Sequence, residues 1–111
     1  MATVAFDALP FAVAVLDSDS NIASMNLQFE EMMGPLSTLK GVNFVSALVK
    51  GDQRASVGEQ MDAFRVSGEK RGIHLFDVDT LTLSQGMPIH RRFNWSVAPS
   101  DGNCVTVYGT Q

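Results

Sequence analysis

The chain has 111 residues, enough for one domain with its own hydrophobic core. Hydrophobic residues make up 45% and charged residues 18%, which is typical of globular rather than disordered proteins. The formal net charge of -4 argues against nucleic acid and anionic membranes as partners. The single cysteine, Cys104, excludes an internal disulfide and a thiolate zinc cluster, so we expect a reducing, cytoplasmic location. The longest apolar run, Leu9 to Leu16, is shorter than the roughly 20 residues of a membrane helix.

The first third of the chain predicts a β-hairpin followed by a helix. The segment from Phe11 to Leu16 is apolar at every position, which favours a strand covered on both faces. The polar segment from Asp17 to Asn21 favours a turn, so that Ile22 to Met25 returns as the partner strand. Asn26 suits the N-cap of a following helix, and Gly34 ends that helix.

The middle of the chain predicts one longer helix. Residues 36–50 are interrupted by glycine and indicate at most a turn or two of helix. Asp52 is a candidate N-cap for a helix in which Val57, Met61 and Phe64 form a single apolar stripe.

The last 40 residues alternate with a period of two and predict three strands, roughly Gly72–Leu83, Ile89–Ala98 and Cys104–Gly109. The segments between them have the glycine and Asx chemistry of hairpin turns. Centring each hairpin on its turn gives a trial register, which also points Cys104 away from the apolar face. The trial pairs are Phe93 with Val78, Trp95 with Phe76 and Val107, Val97 with Val105, and Asp79 with Arg92.

The order of these elements predicts an α+β fold in which the helices cover the inner face of one sheet. At this point the sequence resembles the PAS family of sensory domains. The resemblance is carried by Leu9–Asp17 as the opening strand, Asn21-Ile22, Asn26 with Phe29 and Gly34, and the segment Gly41-Val42-Asn43-Phe44. It implies a five-stranded antiparallel sheet with several short helices packed on one face, a single PAS-like domain over residues 10–111 and a flanking segment over residues 1–9.

The resemblance also implies a small cavity between the helices and the sheet, which holds a ligand or is filled by side chains. Methionine suits both alternatives, because its flexible thioether fills irregular space. Arg91 points either into the mouth of this cavity or into solvent. The candidate cavity residues are Met25, Phe29, Met33, Phe44, Met61, Phe64, Phe76, Val78, Arg91, Phe93, Trp95 and Val107.

The sequence departs from the cofactor-binding branches of the family. Phe44 stands where the light-sensing branch has its reactive cysteine, so a cysteine–flavin adduct is excluded. Haem-binding relatives usually ligate iron through a histidine on the long helix, and this chain has only His74 and His90, both in the predicted strands. His74 lies on the trial face of Phe76, where it is either a ligand or an ordinary strand histidine. The cofactor is left open, and no metal site is expected.

Family members are usually sensor or dimerisation modules joined to effector domains, and are rarely enzymes. We therefore expect a cytoplasmic signal-transduction module that forms a homodimer, couples to an effector domain and takes a small-molecule ligand. The alternatives are a PAS-like sensor with non-covalent haem or flavin, and a small cavity enzyme, for which the apolar face offers no carboxylate. The expected interface residues are Val4, Phe6, Leu9, Leu75, Leu81 and Tyr108.

Overall fold

The computed structural model of the chain describes residues 11–68 and 70–111. Five strands and four α-helices lie in this part, with one short 3-10 turn at Gly51–Gln53. In chain order they are β1 Ala12–Leu16, β2 Ile22–Met25, α1 Leu27–Met33, α2 Leu36–Leu39, α3 Phe44–Leu48, α4 Arg54–Ser67, β3 Ile73–Ser84, β4 Met87–Pro99 and β5 Val105–Thr110. The described helices are all too short or too polar to cross a membrane.

The five strands form one antiparallel sheet in the order β2-β1-β5-β4-β3. The last strand, β5, lies in the centre and pairs with both β1 and β4. It therefore joins the opening hairpin to the closing meander. The predicted α+β fold with a five-stranded antiparallel sheet is confirmed.

Asn26 fixes the junction between the first hairpin and α1, as predicted. Its side-chain Oδ1 accepts hydrogen bonds from the backbone N–H of Phe29 at 2.9 Å and of Val13 at 3.0 Å. Its Nδ2 donates to the backbone carbonyl of Phe11 at 2.9 Å. The helix ends at Gly34, whose φ of 126° favours glycine. One buried amide thus caps a helix and ties it to the sheet.

The long helix α4 begins one residue later than the sequence predicts. Asp52 lies in the preceding 3-10 turn, and the N-cap position is taken by Gln53, which makes no side-chain capping bond. The side chain of Gln53 instead bonds to β3: its Nε2 donates to the carbonyl of Asp77 at 2.9 Å, and its Oε1 accepts from the N–H of Asp79 at 2.7 Å. The predicted apolar stripe of α4 is buried, and the helix ends at Gly68.

A β-bulge in β3 changes the face of several predicted side chains. Leu75 pairs with Trp95 and Val78 pairs with Phe93, so two residues of β3 lie opposite the single residue Asn94. The predicted pairs of Val78 with Phe93 and of Asp79 with Arg92 are confirmed, but Trp95 lies opposite Leu75 rather than Phe76. The prediction failed because strict alternation was continued through an extra residue.

The hairpin between β4 and β5 also differs from the trial register. Val97 pairs with Val107, and Pro99 pairs with Val105, so the predicted pairs are displaced by two residues along β5. Trp95 accordingly lies opposite Gly109 instead of Val107. Because the displacement is two residues, each side chain keeps its predicted face.

Candidate functional site

The interior between the helices and the sheet is centred on Trp95, which is fully buried. Its ring stacks on Phe93 at a centroid distance of 5.3 Å and meets Phe44 edge-on at 5.0 Å. Phe29 from α1 lies 6.1 Å away in a tilted arrangement. β4, α3 and α1 thus each contribute an aromatic ring to one cluster, within the range of favourable aromatic pairs.

One polar pair lies inside this aromatic cluster. The indole Nε1–H of Trp95 donates a hydrogen bond of 3.0 Å to the hydroxyl of Thr80. Thr80 is fully buried, and its hydroxyl donates in turn to the carbonyl of Val78 at 3.2 Å. The buried indole N–H is therefore satisfied without a bound molecule.

Ten of the twelve candidate cavity residues are buried in a single hydrophobic cluster. These are Met25, Phe29, Met33, Phe44, Met61, Phe64, Val78, Phe93, Trp95 and Val107. Phe76 is 70% exposed because the bulge turns it out of the core, and Leu75 takes the buried position. Arg91 is exposed as well, which settles its orientation in favour of solvent over the cavity mouth.

Side chains occupy the space around Trp95 closely. A Cβ placed on Gly109 would lie 2.6 Å from two ring atoms of Trp95. The sequence shows no signal for this contact, because it depends on the pairing of β4 with β5. A ligand enters this interior only if side chains move.

One of the expected interface residues lies on the opposite face of the sheet. Tyr108 is half-buried there and packs against the ring of Phe11 at a centroid distance of 5.9 Å. Leu81 is also half-buried, but it packs against the core cluster. Leu75 was expected on this face and is buried in the core instead, for the reason that exposes Phe76. The expected interface residues Val4, Phe6 and Leu9 lie outside the described residues.

The residues considered for cofactor chemistry lie away from the Trp95 cluster. His74 is exposed, with its Nδ1 3.0 Å from the hydroxyl of Ser96, and so does not lie on the buried face predicted for it. His90 is exposed, and Cys104 is partly buried beside a surface cleft. Within residues 11–68 and 70–111 there is no group of three or more potential metal ligands, and every buried polar side chain is a serine, threonine or asparagine.

The cleft beside Cys104 lies between the end of α4 and the β4–β5 turn and has a volume of about 470 Å³. Arg65 lines it and holds three segments together. One guanidinium nitrogen donates to the carbonyl of Asn103 at 2.7 Å, and another donates to the carbonyl of Asp17 at 3.0 Å and the hydroxyl of Ser20 at 2.8 Å. The sequence gives no local signal for these bonds, because the partners of Arg65 are 38 to 48 residues away.

Comparison with known proteins agrees with this architecture. A family model described as PAS domain matches residues 3–67, which is more than half of the chain. A five-stranded antiparallel sheet with helices on one face and an aromatic interior defines the class, and the chain belongs to the PAS domain family. PAS domains are in general sensory modules of signalling proteins. No curated protein sequence matches the chain.

Solved structures with the same fold come from several signalling proteins. The PAS domain of the RpfR quorum-sensing receptor from Cronobacter turicensis, in complex with BDSF, is 17% identical with a TM-score of 0.72, covering 93% of this chain and 94% of that chain. The same domain in complex with C12:0 has a TM-score of 0.73 at equal identity and coverage. The photoactive yellow protein domain from the sensor histidine kinase Ppr of Rhodospirillum centenum is 19% identical with a TM-score of 0.62, covering 100% and 94%. At these identities the likeness shows the fold alone.

Proposed function

We propose that this chain is a sensory module that binds a small, mainly apolar ligand in the interior around Trp95. The observation that carries the proposal is the pair formed by the Trp95 indole and the Thr80 hydroxyl, set in an otherwise apolar shell. Ligand sites of this kind are lined by apolar and aromatic side chains with a few polar groups that fix orientation. In this proposal residues 10–111 form the sensory domain and residues 1–9 flank it, in a cytoplasmic protein.

Three methionines supply the adaptability that such a site requires. Met25, Met33 and Met61 are all buried in the same cluster as Trp95. Methionine has three rotatable bonds and no branching, so it repacks at a lower cost than leucine or phenylalanine. A ligand would bind a minor, opened arrangement of these side chains and increase its population. The closed interior described above is the ligand-free state in this proposal.

The proposed output surface is the face of the sheet opposite the ligand. Tyr108 lies on β5, whose inner-facing neighbours Val107 and Gly109 pack in the core and against Trp95. A shift of Trp95 would therefore displace the backbone that positions Tyr108. We assign Tyr108 and Leu81, with Val4, Phe6 and Leu9, to the contact with a second copy or with an effector domain.

The ligand proposal is tested by the fluorescence of Trp95, which is the single tryptophan of the chain. The probe is C12:0, chosen because it is bound by the PAS domain of a structural neighbour. Titration is expected to change the emission saturably, with a 1:1 complex in native mass spectrometry. Thr80→Val is expected to weaken binding several-fold by removing the hydroxyl, while the exposed-site control Ser37→Ala is expected to bind as the native chain does. Absence of any apolar molecule in extracts of the purified protein, together with no response to C12:0, would show that the interior is only a core.

The output proposal is tested separately by sedimentation. We expect the native chain to form a dimer that Tyr108→Arg converts to a monomer. Val66→Arg is the matched control, because Val66 is 88% exposed on α4, away from the sheet face. A native chain that remains monomeric at high concentration would remove the homodimer from the proposal and leave the ligand site untouched.

A further inference from the structure

The cleft between the end of α4 and the β4–β5 turn is separate from the interior around Trp95. Its volume of about 470 Å³ lies in the range of roughly 300–1,000 Å³ that is typical of small-molecule sites. Neither Trp95 nor Thr80 lines it. Its walls come from three segments: Arg65 of α4, Asn103 of the β4–β5 turn, and Ser18 of the turn between β1 and β2. We call this space the Arg65 cleft.

Arg65 brings a positive charge to the cleft that no described residue neutralises. A guanidinium stays protonated in proteins. Its hydrogen bonds go to two backbone carbonyls and one hydroxyl, which are all neutral acceptors. Within residues 11–68 and 70–111 it forms no ion pair. Lys70 also lines the cleft and is exposed, so two cations share one concave surface in a chain whose net charge is -4.

The acidic residues of the two adjoining turns do not line the cleft. The carboxylate of Asp17 accepts hydrogen bonds from the backbone N–H of Asp19 at 2.9 Å and of Asn21 at 3.0 Å, and so stabilises its own turn. Asp101 is exposed in the β4–β5 turn and is not one of the lining residues. Each described residue that lines the cleft is basic, neutral polar or apolar. The electrostatic potential of the cleft therefore favours an anionic ligand over a cationic one.

Arg65 also has hydrogen-bond donors that its protein partners leave unused. A guanidinium carries five N–H groups. Nη2 donates to two acceptors, and Nη1 donates one of its two N–H groups in an exposed bond to Asn103. The second N–H of Nη1 therefore remains for a further acceptor. The Nε–H is buried and has no partner within the described ranges, so this guanidinium is less satisfied than buried polar groups usually are.

The apolar part of the lining selects for an apolar body attached to the anion. Phe64 and Val105 line the cleft with buried side chains, and Pro99 and Val66 line it with exposed ones. An aromatic ring removes this apolar surface from water, whereas a small inorganic anion does not. A carboxylate also matches one free N–H and one ammonium group better than a phosphate does, because a phosphate has three strong acceptor oxygens to satisfy.

We propose that the Arg65 cleft binds a small aromatic carboxylate. The carboxylate accepts a hydrogen bond from Nη1 of Arg65 and pairs with Lys70, and the ring lies against Phe64 and Val105. Because Arg65 joins α4 to both turns, the bound molecule adds a contact at the place where these three segments meet. This site is independent of the interior around Trp95, so each of the two can be occupied while the other is empty.

The test uses 2-naphthoate, with the neutral analogue 2-naphthamide as the control ligand. Titration followed by NMR is expected to give saturable shifts centred on Arg65 and residues 102–105, and the amide is expected to bind at least tenfold more weakly. Cys104 lines the cleft and is the single cysteine of the chain, so it serves as a second reporter. Saturating 2-naphthoate is expected to slow the alkylation of Cys104 by uncharged iodoacetamide at least fivefold.

Two substitutions test the contribution of the charges. Lys70→Gln is expected to weaken binding at least threefold, whereas Lys40→Gln, which removes the same charge from an exposed site at the end of α2, has no effect. Arg65→Gln is expected to weaken binding at least tenfold. Because Arg65 also holds two turns, far-UV circular dichroism establishes whether this variant is folded, and the comparison of Lys70→Gln with Lys40→Gln decides the question if it is not.

A further variant tests whether a carboxylate of the chain itself fills the cleft. Residue 69 follows the lining residue Gly68 and lies outside the described residues. Glu69→Gln is expected to bind 2-naphthoate within about threefold of the native chain. Binding by this variant and not by the native chain would show that the cleft is already occupied by the protein's own carboxylate, and would overturn the proposal.

The other contrary results are distinct from one another. Equal binding of 2-naphthamide would show that the cleft selects only for the ring. Tighter binding of inorganic phosphate would assign the site to another class of anion. Shifts confined to Trp95 and Thr80 would place the probe in the interior, which would remove this site and leave the proposed function standing. Absence of any shift, with unchanged alkylation of Cys104, would show that the cleft is only a surface depression.

Discussion

The contact between Gly109 and Trp95 gives the sharpest test of the interior. Gly109→Ala places a Cβ 2.6 Å from two atoms of the Trp95 ring and 2.9 Å from a third. The ring is fully buried and is held by Phe93 and Phe44, so it cannot move aside freely. Overpacking of this kind costs about 1–3 kcal/mol. Replacing glycine by alanine offsets about 0.4–1 kcal/mol of this cost, because it lowers the conformational entropy of the unfolded chain.

We therefore expect Gly109→Ala to lower the free energy of unfolding by about 1–2 kcal/mol in urea denaturation. The melting temperature falls by roughly 4–8 °C, at about 4 °C per kcal/mol for a domain of this size. Gly58→Ala in α4 is the matched control. A Cβ at Gly58 would lie 3.9 Å from the side chain of Val45 in α3, which is an ordinary van der Waals contact. That substitution is expected to stabilise the protein by about 0.5–1 kcal/mol.

A double-mutant cycle tests whether the cost of Gly109→Ala comes from its contact with Trp95. Trp95→Phe removes part of the ring system that the new Cβ meets, so Gly109→Ala is expected to cost at least about 1 kcal/mol less in that background. Unfolding is followed by circular dichroism, since the variant has no tryptophan. The account of a closely filled interior would be refuted if Gly109→Ala were as stable as the native chain. Equal costs in both backgrounds would refute the assignment to Trp95.

Two further predictions concern the junction at Asn26 and the bulge in β3. Asn26→Ala is expected to lower the free energy of unfolding by about 2–4 kcal/mol, because it removes a helix cap and leaves the buried N–H of Val13 unpaired. Asn43→Ala removes the cap of α3 and two hydrogen bonds from its Nδ2 to the turn at Asp19 and Asn21, all of them exposed or partly exposed, and is expected to cost about 1 kcal/mol. Equal losses in urea denaturation would contradict the role given to Asn26. Leu75→Ala is expected to cost about 2–5 kcal/mol and Phe76→Ser less than about 0.5 kcal/mol, so a larger loss at Phe76 would mean that the bulge is misplaced.

Local chemistry was sufficient to predict most of the elements. The turn before Ile22, the N-cap at Asn26 and the glycine stop at Gly34 each depend on residues within a few positions of one another. The interactions that form this turn, this cap and this glycine stop are local, so the sequence alone indicated them. The inward direction of Phe93 and Trp95 was predictable for a similar reason, because alternation along one strand survives a shift of two residues.

Leu75 rather than Phe76 faces the core, and the local sequence of β3 does not predict this. The extra residue at Asp77, with a φ of 56°, is accommodated by Gln53, which bonds to the backbone of Asp77 and Asp79, and by Asn94, whose side chain accepts from the N–H of Asp77. These partners are 17 to 26 residues distant in the chain. No alternation pattern within β3 indicates them.

The sequence by itself therefore determined the order and type of the elements, the family and the apolar composition of the interior. Only the tertiary structure decided which side chains fill that interior, which residues of β5 pair with β4, and that Arg65 joins three segments. The physical reason is how far apart along the chain the interacting residues lie. Turns and caps are hydrogen bonds between near neighbours, whereas strand register and core filling depend on contacts that exist only once distant segments have met.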